Sequence, residues 1–438
     1  MIDIIRYPSE RAERKISEIA RRRPGADPEI EAKVLEIIRA VKAEGDAAVL
    51  RYVRLFDAPG LEEGRLKVSD EEIDAACREV DSDFMSIIRT ATRNIEEFHK
   101  HQLRYSHFMT APDGTFLGQQ VRPVRAAGVY APGGRGGETP LISSVLMNVI
   151  PAALAGVRDI ALITPPRKDG SINPFLLAAA REVGVGRIYR AGSAWGVAAL
   201  AYGTETIGPV DVIAGPGNIY VALAKKLLSG EVGIDMIAGP SEILILADSS
   251  ARADFIAADL LSQAEHDAMA SSVCITTDEH LAGDICSEVS RQLAALPRAE
   301  TAAESLDRYG AVFVVAEMDE AFKLSNRLAP EHLELHLKDP FLFLGKVENA
   351  GAVFIGDYTP EPVGDYFAGP NHVLPTAGAA RFASALGVDD FLKKTSVIAY
   401  SRAAFQRDAQ SIIRLAELEG LSAHAESVRI RLRDGSEK

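Results

Sequence analysis

The sequence is poor in cysteine and has no long apolar run. Only three cysteines occur in 438 residues, Cys77, Cys274 and Cys286, and no two of them form a C-x-x-C pair. This pattern argues against a disulfide scaffold and a cysteine-based zinc site, and it favours a reducing, cytoplasmic setting. No stretch approaches the roughly 18 consecutive apolar residues of a membrane helix, so we expect no membrane span. The first residues also lack the apolar segment of a secretory signal.

Positive charge is scarce as well. The chain has 48 Lys and Arg residues against 62 Asp and Glu residues, which gives a formal net charge of −14. Because nucleic-acid phosphates are bound by basic surfaces, this balance argues against a nucleic-acid partner. The composition, with 47% hydrophobic and 25% charged residues, is that of an ordinary globular protein. Its length favours two or more domains.

A further absence is the usual dinucleotide fingerprint, since no G-x-G-x-x-G follows a strand-like run. Three apolar runs are instead followed by turns that contain glycine and proline. These are "YAPGG" at 130–134, "AGPGN" at 214–218 and "AGPSE" at 238–242. Such turns expose backbone N–H groups at the carboxyl ends of strands, where α/β proteins bind ligands. Alternatively, the glycines and prolines do no more than end the strands.

What is present predicts helices at both ends and an α/β middle. The first hundred residues carry apolar side chains at helical spacing, and Ser69 or Asp70 is placed to cap one helix. From about residue 125, eight short apolar runs alternate with helical segments, which favours two parallel sheets. After about residue 388 the chain again looks helical and charged, and it ends in the strand-like "SVRIRLRD". The eight runs are "AAGVYA", "DIALIT", "RIYRA", "VDVIAG", "EILILAD", "SVCITT", "AVFVVAE" and "AVFIG".

The segment "DLLSQAEHDA" at 259–268 is the first that suggests chemistry. Gln263 and His266 are three residues apart, so on a helix they share one face. That face is either a polar surface turned to solvent or a pair of metal ligands. Imidazole suits zinc and other first-row metals, and a glutamine carbonyl oxygen is an acceptable partner.

A second candidate lies in "NRLAPEHLELHL" at 326–337. Pro330 favours a helix start at this point, so we expect Glu331 and His332 to lie in the first turn of a helix. There they would diverge and act as separate acid and base groups, or simply form a capped helix start. We expect His336 to be exposed.

Two further segments contain polar residues near glycines and prolines. "GDYFAGPNHVLP" is predicted to be a loop, in which Asp365 is a plausible oxygen ligand and His372 a plausible hydrogen-bond donor. An ordinary surface loop is the alternative. "ELEGLSAHAESV" places His424 after a helix that ends at Gly420, and taken alone this is a surface histidine. Together with Gln263 and His266, Asp365 and His424 would form a nitrogen and oxygen ligand set compatible with zinc or manganese.

Ten segments, in one collinear order between about residues 30 and 430, resemble the signature segments of histidinol dehydrogenase. Each is weak alone, but the ordered set is highly specific. In chain order they are "VYAPGG", "SSVLMNVIPAALAGV", "ALAYGTETI", "GPGNIYVALAKK", "IDMIAGPSEILI", "LLSQAEHD", "LAPEHLEL", "GDYFAGPNHVLPT", "VDDFLKKTSVI" and "EGLSAHAESV".

The resemblance implies an α/β fold of two incomplete Rossmann-like domains with parallel sheets, plus small helical N- and C-terminal pieces. The implied divisions are an arm at 1–24, a first domain at 25–127 and 241–386, an NAD-binding domain at 128–240, and a tail at 387–438 that packs on a partner subunit. It also implies a cytoplasmic homodimer with one zinc per subunit. Its reaction would be the NAD-dependent, four-electron oxidation of L-histidinol to L-histidine through bound histidinaldehyde.

Carried over by matched motif, the site residues form four sets. The zinc ligands are Gln263, His266, Asp365 and His424, and these also belong to the substrate site. Glu331 and His332 form the catalytic pair. The remaining substrate contacts are Ser241, His372 and Glu419, together with His332. The NAD contacts are Tyr130 and Asn218. By the same analogy, Glu419 and His424 would reach the site of the other subunit.

One departure stands beside this match. Where the family often has "GGAQA", this chain has "GSAWG" at 192–196, so Trp195, the only tryptophan, replaces a glutamine that contacts NAD. A tryptophan can stack on the cofactor or merely fill space.

Two alternatives stay open at this point. One is a paralogous zinc- and NAD-dependent dehydrogenase of another small alcohol, such as a sulfonated diol. The retention of Ser241, His372 and Glu419 favours histidinol, because a paralogue should diverge at the imidazole-binding end. The other is a metal-binding structural or regulatory protein, which has no need of both Glu331 and His332.

Overall fold

The N-terminal part is helical, as its periodicity predicts. The computed structural model describes residues 2–22 and 28–433, so the predicted boundary between residues 24 and 25 lies outside the described residues. Ser69 caps the fourth helix: its side chain accepts the Glu72 N–H, and the Glu72 side chain accepts the Ser69 N–H. Strand β1 is Ile4–Arg6, and helices α1 to α5 are Glu10–Ala20, Pro28–Glu44, Asp46–Phe56, Asp70–Glu79 and Ser82–Lys100.

The next part of the chain builds a parallel sheet of five strands, ordered β6-β5-β4-β7-β8. All five residues of β4 are buried, which is expected where helices cover both faces of a parallel sheet. Two strands of another sheet come first in the chain after α5: β2 (His107–Thr110) and β3 (Phe116–Pro123). The elements of the five-stranded sheet and its helices are β4 (Ala126–Tyr130), α6 (Ile142–Ala155), β5 (Asp159–Thr164), α7 (Pro174–Glu182), β6 (Arg187–Arg190), α8 (Ser193–Tyr202), β7 (Val212–Ala214), α9 (Ile219–Leu228) and β8 (Gly233–Ile234).

A second parallel sheet has six strands, ordered β1-β11-β10-β9-β12-β13. Its central strand β9 is buried along its whole length, because neighbouring strands and helices cover it. The elements are β9 (Glu242–Ala247), α10 (Ala253–Ala264), β10 (Ser271–Thr276), α11 (Glu279–Leu293), α12 (Ala299–Tyr309), β11 (Ala311–Val314), α13 (Met318–Leu328), β12 (His332–His336), β13 (Ala352–Ile355) and α14 (Glu361–Tyr366). The two predicted parallel sheets are therefore confirmed, and each of the eight apolar runs contains a strand.

The C-terminal part differs from its prediction in two places. Residues expected to be helical form β14 (Leu392–Ala399), which pairs antiparallel with β3, and β2 completes this third sheet. The strand-like ending is instead helical, since α15 (Arg402–Leu418) is followed by α16 (Ser422–Arg433). Val428 and Leu432, four residues apart on α16, pack against the Ile413 and Ala416 side of α15. The helix therefore packs Val428 and Leu432 against α15, whereas Ile430, which lies between them in the alternating pattern, is exposed. Asp434, the last residue of that motif, lies outside the described residues.

Contacts divide the chain into two compact units. The first comprises Met1–Gln102 and Val124–Phe391 and holds both parallel sheets, and the second comprises Leu103–Pro123 and Leu392–Lys438. The finer division of the first unit into two Rossmann-like domains stays a prediction. No helix of the described residues has the length and apolar character needed to cross a membrane.

Candidate active site

The predicted catalytic pair lies at the start of strand β12, which stands between β9 and the edge strand β13 of the six-stranded sheet. The expected helix start is wrong: Ala329 ends α13 with a φ of +50°, and His332 begins a strand between β9 and β13. Pro330 fits this extended entry because it removes an N–H that no strand partner needs. Glu331 and His332 are both buried.

His332 is held in one tautomer by the backbone. Its Nδ1 lies 2.7 Å from the carbonyl oxygen of Glu242, and a carbonyl only accepts, so Nδ1 carries the proton. Burial, with the neighbouring His372 adding to it, lowers the pKa of His332 to about 3. The ring is therefore neutral near pH 7, and its Nε2 lone pair is free to take a proton.

Glu331 is held by the same residue of strand β9. Its Oε2 accepts the backbone N–H of Glu242 at 2.9 Å and lies 3.7 Å from His332 Nδ1. Burial raises the pKa of Glu331 well above its ordinary value, and the nearby carboxylates of Glu242 and Glu361 add to the effect. A carboxyl group whose pKa is raised in this way takes up a proton more readily than an exposed one, which suits acid–base chemistry. Glu242 is itself paired with the buried Arg22 at 2.7 Å.

His372 stands beside His332, and a glutamate not singled out from the sequence orients it. His372 Nε2 lies 2.7 Å from Glu361 Oε1 and 3.1 Å from His332 Nε2, so its N–H donates to the nearer Glu361 carboxylate. Burial alone would raise the pKa of Glu361, but the His372 hydrogen bond and the surrounding imidazoles lower it below the ordinary value. The only sequence signal for Glu361 is its place between two prolines, which marks a helix start but no chemistry.

Gln263 and His266 lie at the end of α10. The helix ends at Ala264, so His266 is just beyond it, and its N–H donates to the Gln263 carbonyl at 3.3 Å. This tight last turn keeps the two residues one turn apart, although they do not both lie within the helix as predicted. The Gln263 side chain is 1% exposed, yet its Oε1 has no hydrogen-bond partner within the described residues. A buried acceptor of this kind is usually satisfied, so a missing donor or cation fits here.

A cavity of about 320 Å³ brings most of the predicted site residues together. Asp365 lies in the short helix α14, and not in the loop predicted from its glycines and prolines, because Pro360 and Pro362 start a helical turn. His372 lies in irregular chain, as expected. The predicted residues that line this cavity are Asn218, Ser241, Gln263, His266, Glu331, His332, Asp365 and His372.

His336 is buried at 2% exposure, so its predicted exposure is wrong. Residues 332, 334 and 336 share one face of β12 because side chains alternate along a strand. His336 Nε2 lies 3.2 Å from Glu334 Oε2 and 3.7 Å from Asp259 Oδ2. Within the described residues, two groups of His, Asp and Glu have ligand atoms within 4.8 Å of one another: Asp259, Glu334 and His336, and His332, Glu361 and His372.

A second cavity, of about 680 Å³, is lined by Tyr130 and Asn218. Asn218 lines both cavities. Its Oδ1 caps α9 by accepting the N–H groups of Tyr220 and Val221 at 3.1 and 3.2 Å, which leaves its amide nitrogen for another partner. Burial raises the pKa of Tyr130 to about 12, so its hydroxyl keeps the proton.

The turn before Asn218 is fixed by a buried ion pair. Lys225 Nζ donates to the Gly215 carbonyl at 2.9 Å, and Asp235 Oδ2 accepts the Gly215 N–H at 2.9 Å. Lys225 and Asp235 are at most 1% exposed and lie 2.5 Å apart. Gly215 has a φ of +114°, and a Cβ there would lie 2.3 Å from the Tyr130 carbonyl oxygen, so only glycine fits.

Trp195 also lines the second cavity, where it stacks on two aromatic rings. Its ring centroid lies 5.8 Å from that of Tyr52 and 5.5 Å from that of Phe56, with planes within 18°. Its indole nitrogen is buried without a hydrogen-bond partner in the described part of the chain. The tryptophan is thus part of an aromatic wall of the cavity, with Asp57 beside it.

Glu419 and His424 belong to the second unit. Glu419 is the C-cap of α15, and His424 lies in the first turn of α16. Both side chains are exposed. The remaining site residues all lie in the first unit.

Comparison with known proteins gives one consistent result. Residues 20–432 match the family model for histidinol dehydrogenase. The chain is 54% identical over 407 residues to the histidinol dehydrogenase of Desulfotalea psychrophila, which covers 93% of this chain and 94% of that protein. It is 56% identical over 402 residues to that of Moorella thermoacetica, covering 92% and 94%. The crystal structure of histidinol dehydrogenase from Elizabethkingia anophelis matches it with a TM-score of 0.90 and 37% identity, covering 99% of this chain and 98% of that one. The resemblance drawn from the sequence motifs is confirmed: this chain belongs to the histidinol dehydrogenase family.

Proposed function

We propose that this chain oxidises L-histidinol to L-histidine in two NAD-dependent steps, with histidinaldehyde held in the site between them. The observation that carries the proposal is the 320 Å³ cavity, in which a neutral buried imidazole meets a carboxyl group of raised pKa and a set of oxygen and nitrogen donors. Such a combination of base, acid and donors suits the oxidation of an alcohol. The reaction belongs to histidine biosynthesis, and we propose the cytoplasm as its place.

In the first step His332 is the base. Its Nε2 takes the proton of the substrate hydroxyl while the carbinol C–H leaves as a hydride to NAD, so that the alcohol becomes an aldehyde. The tautomer fixed by the Glu242 carbonyl supports this role, because the free lone pair is on the nitrogen that faces His372 in the cavity. His372 then contacts the reacting oxygen.

In the second step Glu331 assists the attack of water on the aldehyde. Glu331 accepts a proton from the attacking water and the aldehyde oxygen receives one from Glu331, so the hydrate forms and the carboxyl group is left as it began. The Glu242 N–H, which donates to Glu331, keeps the carboxyl group in place. After His332 has released its first proton to solvent and NADH has been replaced by a second NAD, the hydrate transfers its C–H hydride to NAD and His332 again takes a hydroxyl proton. The carboxylic acid that forms then ionises. The product is a carboxylate, and the two hydrides account for the four electrons.

We propose one zinc per subunit, held by Gln263, His266, Asp365 and the His424 of the partner subunit. The unpartnered buried Oε1 of Gln263, beside a carboxylate and an imidazole that line the same cavity, supports the fit. When bound, zinc would hold the substrate nitrogen atoms and polarise the reacting oxygen. Ser241 also lines this cavity, and we assign it as a further substrate contact.

We assign NAD to the 680 Å³ cavity, with Tyr130 and Asn218 among its contacts. Asn218 lines both cavities, so this assignment brings the cofactor next to the substrate. The glycine-rich loop at residues 133–137 also lines the larger cavity, and such loops let a backbone approach phosphate groups closely.

We propose a homodimer in which each tail completes the site of the other subunit. The second unit is small and leaves large apolar side chains exposed, which favours a partner surface. Among them are Met109, Ile398, Leu415, Leu418 and Ile430. In this arrangement Glu419 binds the imidazole end of histidinol and His424 completes the zinc site.

A substrate screen tests the proposal. Purified zinc-loaded protein with NAD is expected to form NADH with L-histidinol and with L-histidinaldehyde. Matched reactions contain a sulfonated propanediol or a simple aliphatic alcohol at the same concentration, and we expect no comparable rate. A faster reaction with the sulfonated diol would identify a paralogous dehydrogenase, and NADH formation with none of the alcohols would refute the dehydrogenase assignment.

A further inference from the structure

The Asp259–Glu334–His336 cluster has no part in the proposed reaction steps. Its three residues are at most 8% exposed, and their ligand atoms all lie within 4.8 Å of one another. His336 Nε2 contacts Glu334 at 3.2 Å and lies 3.7 Å from Asp259. Two buried carboxyl groups are costly unless they are hydrogen-bonded, so the cluster needs a reason to exist.

The cluster joins two elements that carry site residues. Glu334 is two residues after His332 on β12, so both side chains lie on one face of that strand. Asp259 is four residues before Gln263 on α10, about one helical turn away. Contacts within the cluster therefore link the strand of the proposed base with the helix of a proposed zinc ligand.

Glu334 also reaches a third element. Its Oε1 accepts the backbone N–H of Glu361 at 2.9 Å, at the first residue of α14. N–H groups in the first turn of a helix have no acceptor within the helix, so Glu334 satisfies one of them. The side chain of Glu361 then accepts the N–H of His372 at 2.7 Å. Asp365 follows four residues later on the same short helix.

The protonation of the cluster suits contacts that hold β12, α10 and α14 together. Burial, together with the charge of Glu334, raises the pKa of Asp259 to about 8. Near pH 7 Asp259 therefore keeps its proton and can donate it in a hydrogen bond to Glu334. The two carboxyl groups lie close together without mutual repulsion, and Glu334 remains an acceptor on both of its oxygens.

We propose that Glu334 is a positioning residue for the zinc site. Supported by Asp259 and His336, it sets the start of α14 against β12 and α10. Asp365 and the Glu361–His372 pair are thereby brought to the cavity that Gln263 and His332 line. The effect on zinc affinity that we expect rests on the proposed function and its zinc site. The effect on the local structure around α14 does not, because it can be measured without zinc.

Three variants test the positioning role of Glu334. Glu334→Leu removes both oxygens at similar size, and Glu334→Gln retains one acceptor for the Glu361 N–H. Ser305→Ala is the matched control, since it removes a buried hydrogen bond of 2.9 Å to the Ala270 carbonyl without touching the cluster. We expect Glu334→Leu to weaken zinc binding by about 10- to 100-fold in a chelator competition. Glu334→Gln should regain most of the affinity, and Ser305→Ala should bind zinc as the unchanged protein does.

Hydrogen exchange of the zinc-free protein supplies the second readout. Peptides that cover residues 361–366 should take up deuterium faster in Glu334→Leu than in the unchanged protein. They should not do so in Ser305→Ala, compared under conditions in which both variants have lost the same free energy of unfolding. Unchanged uptake in Glu334→Leu would overturn the positioning role, whether or not the protein oxidises histidinol. A second zinc ion per chain that is lost in Glu334→Leu would also overturn it, because the cluster would then be a cation site. Absence of histidinol oxidation with the expected exchange would instead reject only the proposed function.

Discussion

Replacement of His332 by asparagine is expected to lower kcat by about 10²- to 10⁴-fold, because the alcohol and the hydrate both lose the base that takes their proton. Asparagine can still donate a hydrogen bond to the Glu242 carbonyl, which His332 Nδ1 approaches to 2.7 Å. The substitution therefore removes the basic nitrogen while keeping the strand contact. Zinc content should stay that of the unchanged protein, since His332 is not among the proposed ligands.

The matched control is His280→Asn, on the exposed surface of α11. It makes the same chemical change outside the cavity, so kcat and zinc content should both stay unchanged. Steady-state kinetics with saturating L-histidinol and NAD, with metal analysis of the same samples, provide the measurement. A His332→Asn enzyme with nearly full kcat would show that another group takes the proton.

The second large effect comes from mixing two inactive subunits. His266→Ala and His424→Ala should each lose zinc and nearly all activity when expressed alone. If His424 completes the site of the partner subunit, a mixed dimer combines both defects in one site and leaves the other site intact. When equal amounts of the two subunits pair at random, half of the dimers are mixed, and each mixed dimer has one intact site out of two. About a quarter of full activity should therefore return.

Co-expression with two affinity tags allows the mixed dimers to be isolated and assayed. The control is the pair His266→Ala and Asp365→Ala, whose residues both lie in the first unit. On the proposed arrangement the mixed dimer of this pair stays inactive, because each of its sites contains one damaged ligand. Recovery with the control pair, or no recovery with the His424 pair, would contradict a site shared in this way.

The two parallel sheets were predictable because their strands are short, apolar and bounded by turns. Runs such as "EILILA" are buried on both faces, so their sequences contain no competing helical pattern. The antiparallel sheet was not predictable in this way. Strand β14 contains Lys393, Lys394, Thr395 and Ser396, all of them exposed, and lacks the apolar alternation that marks a half-buried strand.

Within the site, spacing could suggest Gln263 and His266 but not their companions. Glu331 and His332 follow a proline, and the same pattern starts helices as readily as it precedes a strand. Because β12 is a strand, residues 332, 334 and 336 share one face, and a helical interpretation separates them. The burial of His336 and the role of Glu334 can therefore be inferred only when β12 is known to be a strand of the sheet.

Glu361 illustrates a different limit. It is one of 62 acidic residues, and its importance arises from contacts with Glu334 and His372, which are 27 and 11 residues away in sequence. Trp195 shows the converse, since the sequence marks it as a departure from the family motif but gives it no position in the fold. Its stacking on Tyr52 and Phe56 now makes it part of the wall of the proposed NAD cavity.

The most direct measurement of the central claim is the number of NADH molecules formed per molecule of L-histidinol. With limiting L-histidinol, excess NAD and one zinc bound per chain, we expect two NADH and one L-histidine for each histidinol consumed, with no free aldehyde. One NADH per histidinol with released aldehyde would contradict the proposed roles of Glu331 and His332 in a second oxidation, and no NADH would contradict the function itself.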